Sequence, residues 1–211
     1  MLRSHPVPVA LALTVPAALL SAAPAHAQGP AAYQKARDAF KAGDLATAVT
    51  EMEKAVAAEP ANPDYNAWMG FLLVRTGDPD RVVKFLEKAL EARHAVAETC
   101  TNLGNALLLR KGRTLQDTRR AISLLEQATK LQPESADAFN SLGFACWRTG
   151  DYGRAAAAYR KVSQLRPGDG QAHVNLGLAL QRVGKDADAV AALRKGVGLL
   201  PDNAAAHAAL G

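Results

Sequence analysis

A single spacing of 34 residues organises most of this 211-residue chain. Small residues recur at that interval, and one interval of 39 residues marks an insertion in the third unit. The recurring residues are Ala36, Gly70, Gly104, Gly143, Gly177 and Gly211. A period of this length indicates one small folding unit copied along the chain. Such units stack on their neighbours because none can bury its apolar face alone.

Each unit contains two amphipathic helical patterns. In the fourth unit, the first apolar face includes Leu142 and ends at Gly150, and the second includes Tyr159 and ends at Pro167. Gly143 is small enough to permit close contact between the two helices. Aromatic residues make up only 5% of the chain, too few for a β-sandwich or barrel. The pattern therefore predicts an all-α fold.

Short motifs recur at fixed places within these units. Asn-Leu-Gly occurs at 102–104 and 175–177, Ser-Leu-Gly at 141–143, and Thr-Gly-Asp at 76–78 and 149–151. With the spaced prolines, these motifs make the chain resemble the tetratricopeptide repeat family over residues 29–211. The resemblance implies a right-handed α-solenoid, a superhelix of stacked antiparallel helix pairs, in which the first helices line a concave groove.

We divide the chain into a leader, five repeats and a partial sixth repeat. The repeats are 29–62, 63–96, 97–135, 136–169 and 170–203, followed by 204–211. Repeat arrays normally end in a polar cap, whereas residues 204–211 are alanine-rich and apolar. We therefore expect the polypeptide to extend beyond Gly211.

The leader, residues 1–27, has the layout of a secretory signal peptide. Arg3 gives a basic start, an apolar stretch runs to Leu20, and residues 25–27 (Ala-His-Ala) match the small-x-small cleavage pattern. Prolines interrupt the apolar stretch, whereas a membrane-spanning helix needs roughly 20 continuous apolar residues. We expect cleavage before Gln28, a mature domain of residues 28–211, and a periplasmic or secreted protein.

No motif for catalysis or cofactor binding is present in the sequence. The chain lacks the phosphate-binding, dinucleotide-binding, zinc-protease and haem-attachment patterns. His173 and His207 lie at equivalent positions of stacked helices, about 10 Å apart, too far to share a metal ion. The net charge of +5 is too small to indicate nucleic acid as a partner. We expect no catalytic residue, no metal and no cofactor.

The two cysteines, Cys100 and Cys146, are poorly placed for a disulfide. Their repeat positions differ by seven residues, which is about 10.5 Å along nearly parallel helices. A disulfide requires α-carbons within about 7 Å of each other. We interpret both side chains as buried thiols.

The resemblance also implies which residues line the groove, namely repeat positions 2, 5, 9, 12 and 13, counted from the first residue of each repeat, with the acidic residues Asp64, Glu98 and Asp137 at position 2 on the opposite edge. Position 13 is basic except at Leu109, and positions 9 and 12 are rich in aromatic residues. The candidate peptide-binding residues are Tyr33, Arg37, Phe40, Lys41, Phe71, Arg75, Asn105, Asn140, Phe144, Trp147, Arg148 and Arg182. Rings between cations suit an extended peptide with apolar and acidic side chains. We expect Phe71, Phe144 and Trp147 to be exposed anchors.

The insertion in the third repeat is rich in basic residues. It begins with Arg110-Lys111-Gly112-Arg113, and Arg119 and Arg120 follow shortly after. Thr114 is placed to cap a helix whose first turn carries Asp117. The segment either meets an acidic partner or a membrane surface, or is a solvated extension of the helix pair.

These features together predict a non-catalytic interaction scaffold of the bacterial envelope that binds an extended peptide segment of an envelope protein. Membrane association is peripheral if it occurs. One alternative is the recognition arm of a longer envelope enzyme. Another is a self-associating structural module, since the end at 204–211 is apolar and open.

Overall fold

A computed structural model of the protein describes residues 31–92 and 96–210. This part of the chain forms eleven helices and no strand. The helices are α1 (Ala31–Lys41), α2 (Leu45–Ala58), α3 (Pro63–Thr76), α4 (Pro79–Glu91), α5 (Ala97–Leu109), α6 (Leu115–Leu131), α7 (Ala136–Arg148), α8 (Tyr152–Leu165), α9 (Gly170–Arg182), α10 (Asp186–Leu199) and α11 (Ala204–Leu210). The all-α prediction is confirmed. The predicted signal peptide lies outside the described residues.

The helices form two compact units. Helices α1 to α6 make up the N-terminal unit, which ends at Leu131, and helices α7 to α11 make up the C-terminal unit, which begins at Gln132. Within each unit every helix packs on the next one, and α3 also packs on α5. Each unit is therefore a set of stacked helix pairs, as the repeat pattern predicts.

The turns explain why the helices end where they do. In the Thr-Gly-Asp motifs, Gly77 and Gly150 adopt φ values of 78° and 79°, a left-handed conformation that glycine reaches without strain. The aspartate that follows each glycine caps the next helix: Asp78 accepts a hydrogen bond from the Arg81 amide, and Asp151 from the Arg154 amide. One three-residue motif thus ends the first helix of a repeat and begins the second.

The small residue of each first helix contacts one large side chain of the second. A Cβ atom added at Gly143 would lie 2.7 Å from Cε1 of Tyr159, closer than van der Waals contact allows. The same approach joins Gly70 to Leu86, Gly104 to Leu125 and Gly177 to Leu193. These large side chains are all buried. The predicted close contact between paired helices is confirmed.

The insertion lengthens the turn before α6. Thr114 and Asp117 cap this helix reciprocally: the Asp117 carboxylate accepts from the Thr114 amide at 2.8 Å, and the Thr114 hydroxyl accepts from the Asp117 amide at 3.1 Å. The predicted cap is confirmed. With 17 residues, α6 is the longest helix of the described chain.

Candidate functional site

A cluster of aromatic rings joins α1 to α3 in the N-terminal unit. The ring centres of Phe40 and Trp68 lie 5.5 Å apart, and those of Phe40 and Phe71 lie 5.4 Å apart, both nearly perpendicular. Tyr33 of α1 contacts Tyr65 of α3 at 4.8 Å between ring centres. Edge-to-face pairs of this kind are favourable beyond the area that they bury. The predicted groove residues Tyr33, Phe40 and Phe71 are thus brought together.

Two arginines lie against this cluster. The guanidinium carbon of Arg75 lies 5.4 Å from the ring centre of Phe40 and 5.2 Å from that of Phe71, and that of Arg37 lies 5.8 Å from the centre of Tyr33. Arg75 is exposed, whereas Arg37 is buried and its Nε has no hydrogen-bond partner in the described chain. Positions 9 and 13 therefore share one face of α3, since Phe71 and Arg75 occupy them.

Helix α5 carries buried amides on the equivalent face. Asn105 is only 3% exposed, and within the described chain neither its Oδ1 nor its Nδ2 has a hydrogen-bond partner. Asn102, one turn earlier, is also buried and its Oδ1 has no partner there either. A buried polar atom without a partner costs about 1–3 kcal/mol.

The C-terminal unit holds its predicted groove residues differently. Trp147 and Tyr152 pack edge to face with ring centres 5.0 Å apart. The Arg182 guanidinium lies 4.5 Å from the centre of Tyr152 and donates a hydrogen bond of 2.7 Å to its hydroxyl. Arg182 also lies 6.0 Å from the centre of Trp147. These three side chains form a closed cluster, which we call the Trp147 cluster.

Burial corrects part of the sequence-based prediction. Phe71 is 2% exposed and Trp147 is 8% exposed, so the expectation that they are exposed anchors is wrong. Each ring is buried because a neighbouring helix supplies another ring, Phe40 for Phe71 and Tyr152 for Trp147, and an arginine covers it. Phe144 is half-buried with Arg148 at 5.7 Å from its ring centre, and Asn140 is half-buried too. Whether any of these residues binds a peptide stays a prediction.

The remaining position-13 residues are exposed. Lys41 lies 4.0 Å from the Asp38 carboxylate on the same helix, a surface ion pair that contributes little. Leu109, where the basic series is interrupted, is 58% exposed. Position 13 of the N-terminal unit therefore presents two cations and one apolar side chain.

Sequence profiles described as the tetratricopeptide repeat match residues 39–98, 113–170 and 147–211, more than half of the chain. The chain belongs to the tetratricopeptide repeat family. Such repeats are protein–protein interaction modules and are generally not catalytic. No curated protein sequence matches the chain.

Solved tetratricopeptide repeat structures resemble this fold. A crystal structure of MamA is 25% identical, covers 82% of this chain and 92% of its own, and gives a TM-score of 0.70. YrrB, described as a TPR protein with an unusual peptide-binding site, is 20% identical, covers 86% of this chain and 91% of its own, and gives 0.75. MamA from Desulfovibrio magneticus RS-1 is 21% identical, covers 82% and 95%, and gives 0.69.

The two histidines at position 4 of the repeat, His173 and His207, each form a hydrogen bond with a proline carbonyl. Nε2 of His173 donates to the carbonyl of Pro167 at 3.0 Å, and Nε2 of His207 donates to that of Pro201 at 2.7 Å. In the second repeat Asn66 makes the equivalent bond to Pro60 at 3.0 Å. These side chains therefore tie a first helix to the turn before it.

Both cysteines are buried, and burial raises the pKa of the Cys100 thiol to about 11. Among residues 31–92 and 96–210, no group of His, Cys, Asp and Glu side chains is placed to hold a metal ion. In the same ranges no helix is long and apolar enough to cross a membrane.

Most of the basic insertion is paired within the N-terminal unit. Arg110 lies 2.7 Å from Asp80 and 3.7 Å from Asp117, and Arg120 pairs with Glu87. Arg113 donates to the carbonyl of Leu108. These contacts favour the interpretation of the segment as an extension that ties the second repeat to the third.

Sequence reasoning missed Trp68, Tyr152 and the unpartnered Oδ1 of Asn102. Tyr152 begins a second helix, where the groove positions do not apply, and only its spacing of 30 residues from Arg182 could have signalled the contact. Trp68 occupies repeat position 6, which is not among the positions expected to line the groove. Its Nε1 has no hydrogen-bond partner among the described residues, and nothing in the local sequence indicates this.

Apolar side chains are exposed near the end of the C-terminal unit. They are Val183, Val190, Leu199 and Leu200. Self-association, the alternative that the sequence suggests, stays a prediction.

Proposed function

We propose that the protein is an exported, non-catalytic scaffold whose N-terminal unit binds an extended peptide segment of an envelope protein along α1, α3 and α5. The observation that carries the proposal is Asn105, a buried amide on the position-9 face with two unpartnered hydrogen-bonding atoms. Phe71 and Arg37 occupy the same repeat position on α3 and α1.

The chemistry of an amide fits a peptide main chain. Each residue of an extended peptide offers one N–H donor and one carbonyl acceptor. The Asn105 side chain offers one carbonyl acceptor and one NH₂ donor, and neither atom contacts solvent in the unbound protein. A single peptide residue can satisfy both when the side chain turns out toward the groove. Because each orphaned atom costs free energy in the unbound protein, this interaction is stronger than one formed at the expense of an existing hydrogen bond.

The family supports the class of partner. Tetratricopeptide repeats bind proteins, and YrrB is described as having a peptide-binding site. At 20% identity YrrB shows the fold alone, so the argument for a peptide rests on Asn105.

The proposal is tested by selecting a phage library of random dodecapeptides on the purified protein and measuring the affinity of the enriched peptides by fluorescence anisotropy. Asn105→Leu should weaken binding at least tenfold, which is about 1.4 kcal/mol. It should leave the fold as stable as before or more stable, because it removes two buried orphaned atoms. Loss of binding would therefore not reflect unfolding.

Tyr159→Phe is the matched control. It also removes a buried polar atom without a partner in the described chain, but from the C-terminal unit. It should leave peptide affinity unchanged. Enrichment of no peptide, or equal binding by Asn105→Leu and the unaltered protein, would contradict the proposal.

Export is proposed from the layout of residues 1–27. Expressed in a bacterium with an outer membrane, the protein should appear in the periplasm or medium with Gln28 as its first residue. Mass spectrometry that finds Met1 on the exported protein would contradict this.

A further inference from the structure

Two packed helices of the N-terminal unit end in different exposed side chains at the same repeat position. Arg75 lies at position 13 on α3, and Leu109 lies at position 13 on α5. Both are exposed, and α3 packs directly on α5. A ligand that crosses from one helix to the other meets a cation and then an apolar side chain.

The Arg75 guanidinium contacts two aromatic rings, and its charge is not neutralised by a carboxylate of the described residues. The rings of Phe40 and Phe71 lie 5.4 Å and 5.2 Å from its central carbon, within the range of a favourable cation–π contact. Among the described residues no carboxylate forms an ion pair with it and no acceptor takes a hydrogen bond from it. The planar fork of an arginine matches the two oxygens of a carboxylate.

The separation of the two side chains sets a spacing. Packed helices lie about 8–10 Å apart, so equivalent positions on α3 and α5 are separated by about that distance. A peptide in the polyproline II conformation has three residues per turn and rises about 3.1 Å per residue. Its residues i and i+3 therefore point to the same side and lie about 9 Å apart.

We propose that the N-terminal unit is specific for peptides that carry a carboxylate and an apolar side chain three residues apart in an extended, polyproline-II-like conformation. The carboxylate binds Arg75 and the apolar side chain packs on Leu109. Asn105, one helical turn before Leu109 on α5, bonds the peptide main chain. This inference rests on the proposed function and adds to it the chemistry and spacing of the peptide.

Other spacings fit less well. Residues i and i+2 lie about 6 Å apart and residues i and i+4 about 12 Å apart, and both pairs point to different sides of the peptide. The corresponding arginine of the C-terminal unit is less available, because Arg182 already donates to the hydroxyl of Tyr152 at 2.7 Å.

The test uses the dodecapeptides enriched on the purified protein. They should share an Asp or Glu and a Leu, Ile, Val or Phe at spacing i, i+3. Synthetic versions with Asn or Gln in place of the acid should bind at least tenfold more weakly, as should versions with the apolar residue moved to i+2 or i+4. Arg75→Gln should weaken binding of the acidic peptide by a similar factor and remove its advantage over the amide version.

Arg194→Gln is the control, because Arg194 is an exposed arginine of α10 outside the candidate groove residues, and it should leave affinity unchanged. The affinity of Arg75→Lys for the acidic peptide should lie between that of Arg75→Gln and that of the unaltered protein, because lysine keeps the charge without the planar guanidinium. Enriched peptides without the spacing, equal binding of acid and amide versions, or full affinity in Arg75→Gln would overturn the inference and leave the peptide function intact. Enrichment of no peptide would overturn the proposed function itself.

Discussion

Arg75 and Arg182 occupy the same position of the repeat, one in each unit, and both lie over aromatic rings. They differ in what the protein does with their hydrogen-bond donors. Arg182 donates to Tyr152 at 2.7 Å, whereas no described residue accepts from Arg75. A shared sequence position therefore gives a shared stacking geometry but not a shared role. Arg182 completes a structural cluster, and Arg75 presents donors to solvent.

The same contrast extends to the rings below these arginines. In both units the arginine lies over an aromatic residue 35 positions earlier, Phe40 in one case and Trp147 in the other. In the N-terminal unit this pair belongs to a larger aromatic cluster. In the C-terminal unit it is closed by Tyr152. The comparison predicts that damage to the Trp147 cluster costs stability, whereas changes at Arg75 cost binding.

The largest expected effect is that of Trp147→Ala. Removing a buried indole from the Trp147 cluster should destabilise the C-terminal unit by about 3–5 kcal/mol. Denaturant unfolding followed by circular dichroism should show an earlier transition. Trp147→Phe keeps a ring beside Tyr152 and should therefore lose much less stability. An unchanged unfolding curve for Trp147→Ala with weakened peptide binding would break the comparison, because the indole would then be a binding anchor.

Substitution of the glycine between paired helices should destabilise the two units equally. Gly143→Leu and Gly70→Leu would each force a side chain into the contact between paired helices, which costs about 1–3 kcal/mol or more. Gly168→Ala is the control, because nothing lies within 4 Å of a Cβ there. Gly112 is a poorer control, since its φ of 69° strains any substitution. A melting temperature lowered only by Gly143→Leu would mean that the repeat register differs between the units.

This shared contact is the part of the fold that the sequence predicts best. Gly143 and Tyr159 are spaced like Gly70 and Leu86, so the period itself identifies which residues touch. The exposure of Trp147 is predicted badly, because it depends on Tyr152 of another helix and on Arg182 of another repeat. The orphaned state of Asn105 depends on the absence of a neighbouring polar group among the described residues, which no periodicity encodes.

A smaller difference should appear between the two arginines. Arg182→Met removes a stacking contact and a hydrogen bond, so it should destabilise its unit by about 1–2 kcal/mol. Arg75→Met removes stacking alone and should cost at most about 1 kcal/mol. Each unit contains one of the two tryptophans, Trp68 or Trp147. In a Trp147→Phe background the fluorescence of Trp68 reports unfolding of the N-terminal unit. In a Trp68→Phe background the fluorescence of Trp147 reports unfolding of the C-terminal unit. Equal losses would indicate that the Tyr152 hydrogen bond contributes nothing.

The smallest expected effect is a loss of stability of the N-terminal unit at acid pH. The Thr114 amide, followed by the Thr114 hydroxyl, holds the pKa of Asp117 below its ordinary value of 3.8. The Thr47 side chain, followed by the Thr47 amide, does the same for the pKa of Asp44. A carboxyl with a lowered folded pKa stabilises the fold above its unfolded pKa, and this contribution is lost as pH falls through the folded value.

The N-terminal unit should therefore begin to lose stability as pH falls below about 4, because the unfolded chain takes up protons at these two carboxyls before the folded protein does. Trp68 fluorescence in the Trp147→Phe background, recorded in denaturant from pH 6 to pH 2, measures this loss. Asp117→Asn keeps an acceptor for the helix but has no charge to titrate, so it should flatten the pH dependence while lowering stability slightly at neutral pH. If Asp117→Asn and Asp44→Asn left the slope unchanged, the acid sensitivity would belong to other carboxylates, and the two caps would act as neutral hydrogen-bond acceptors only.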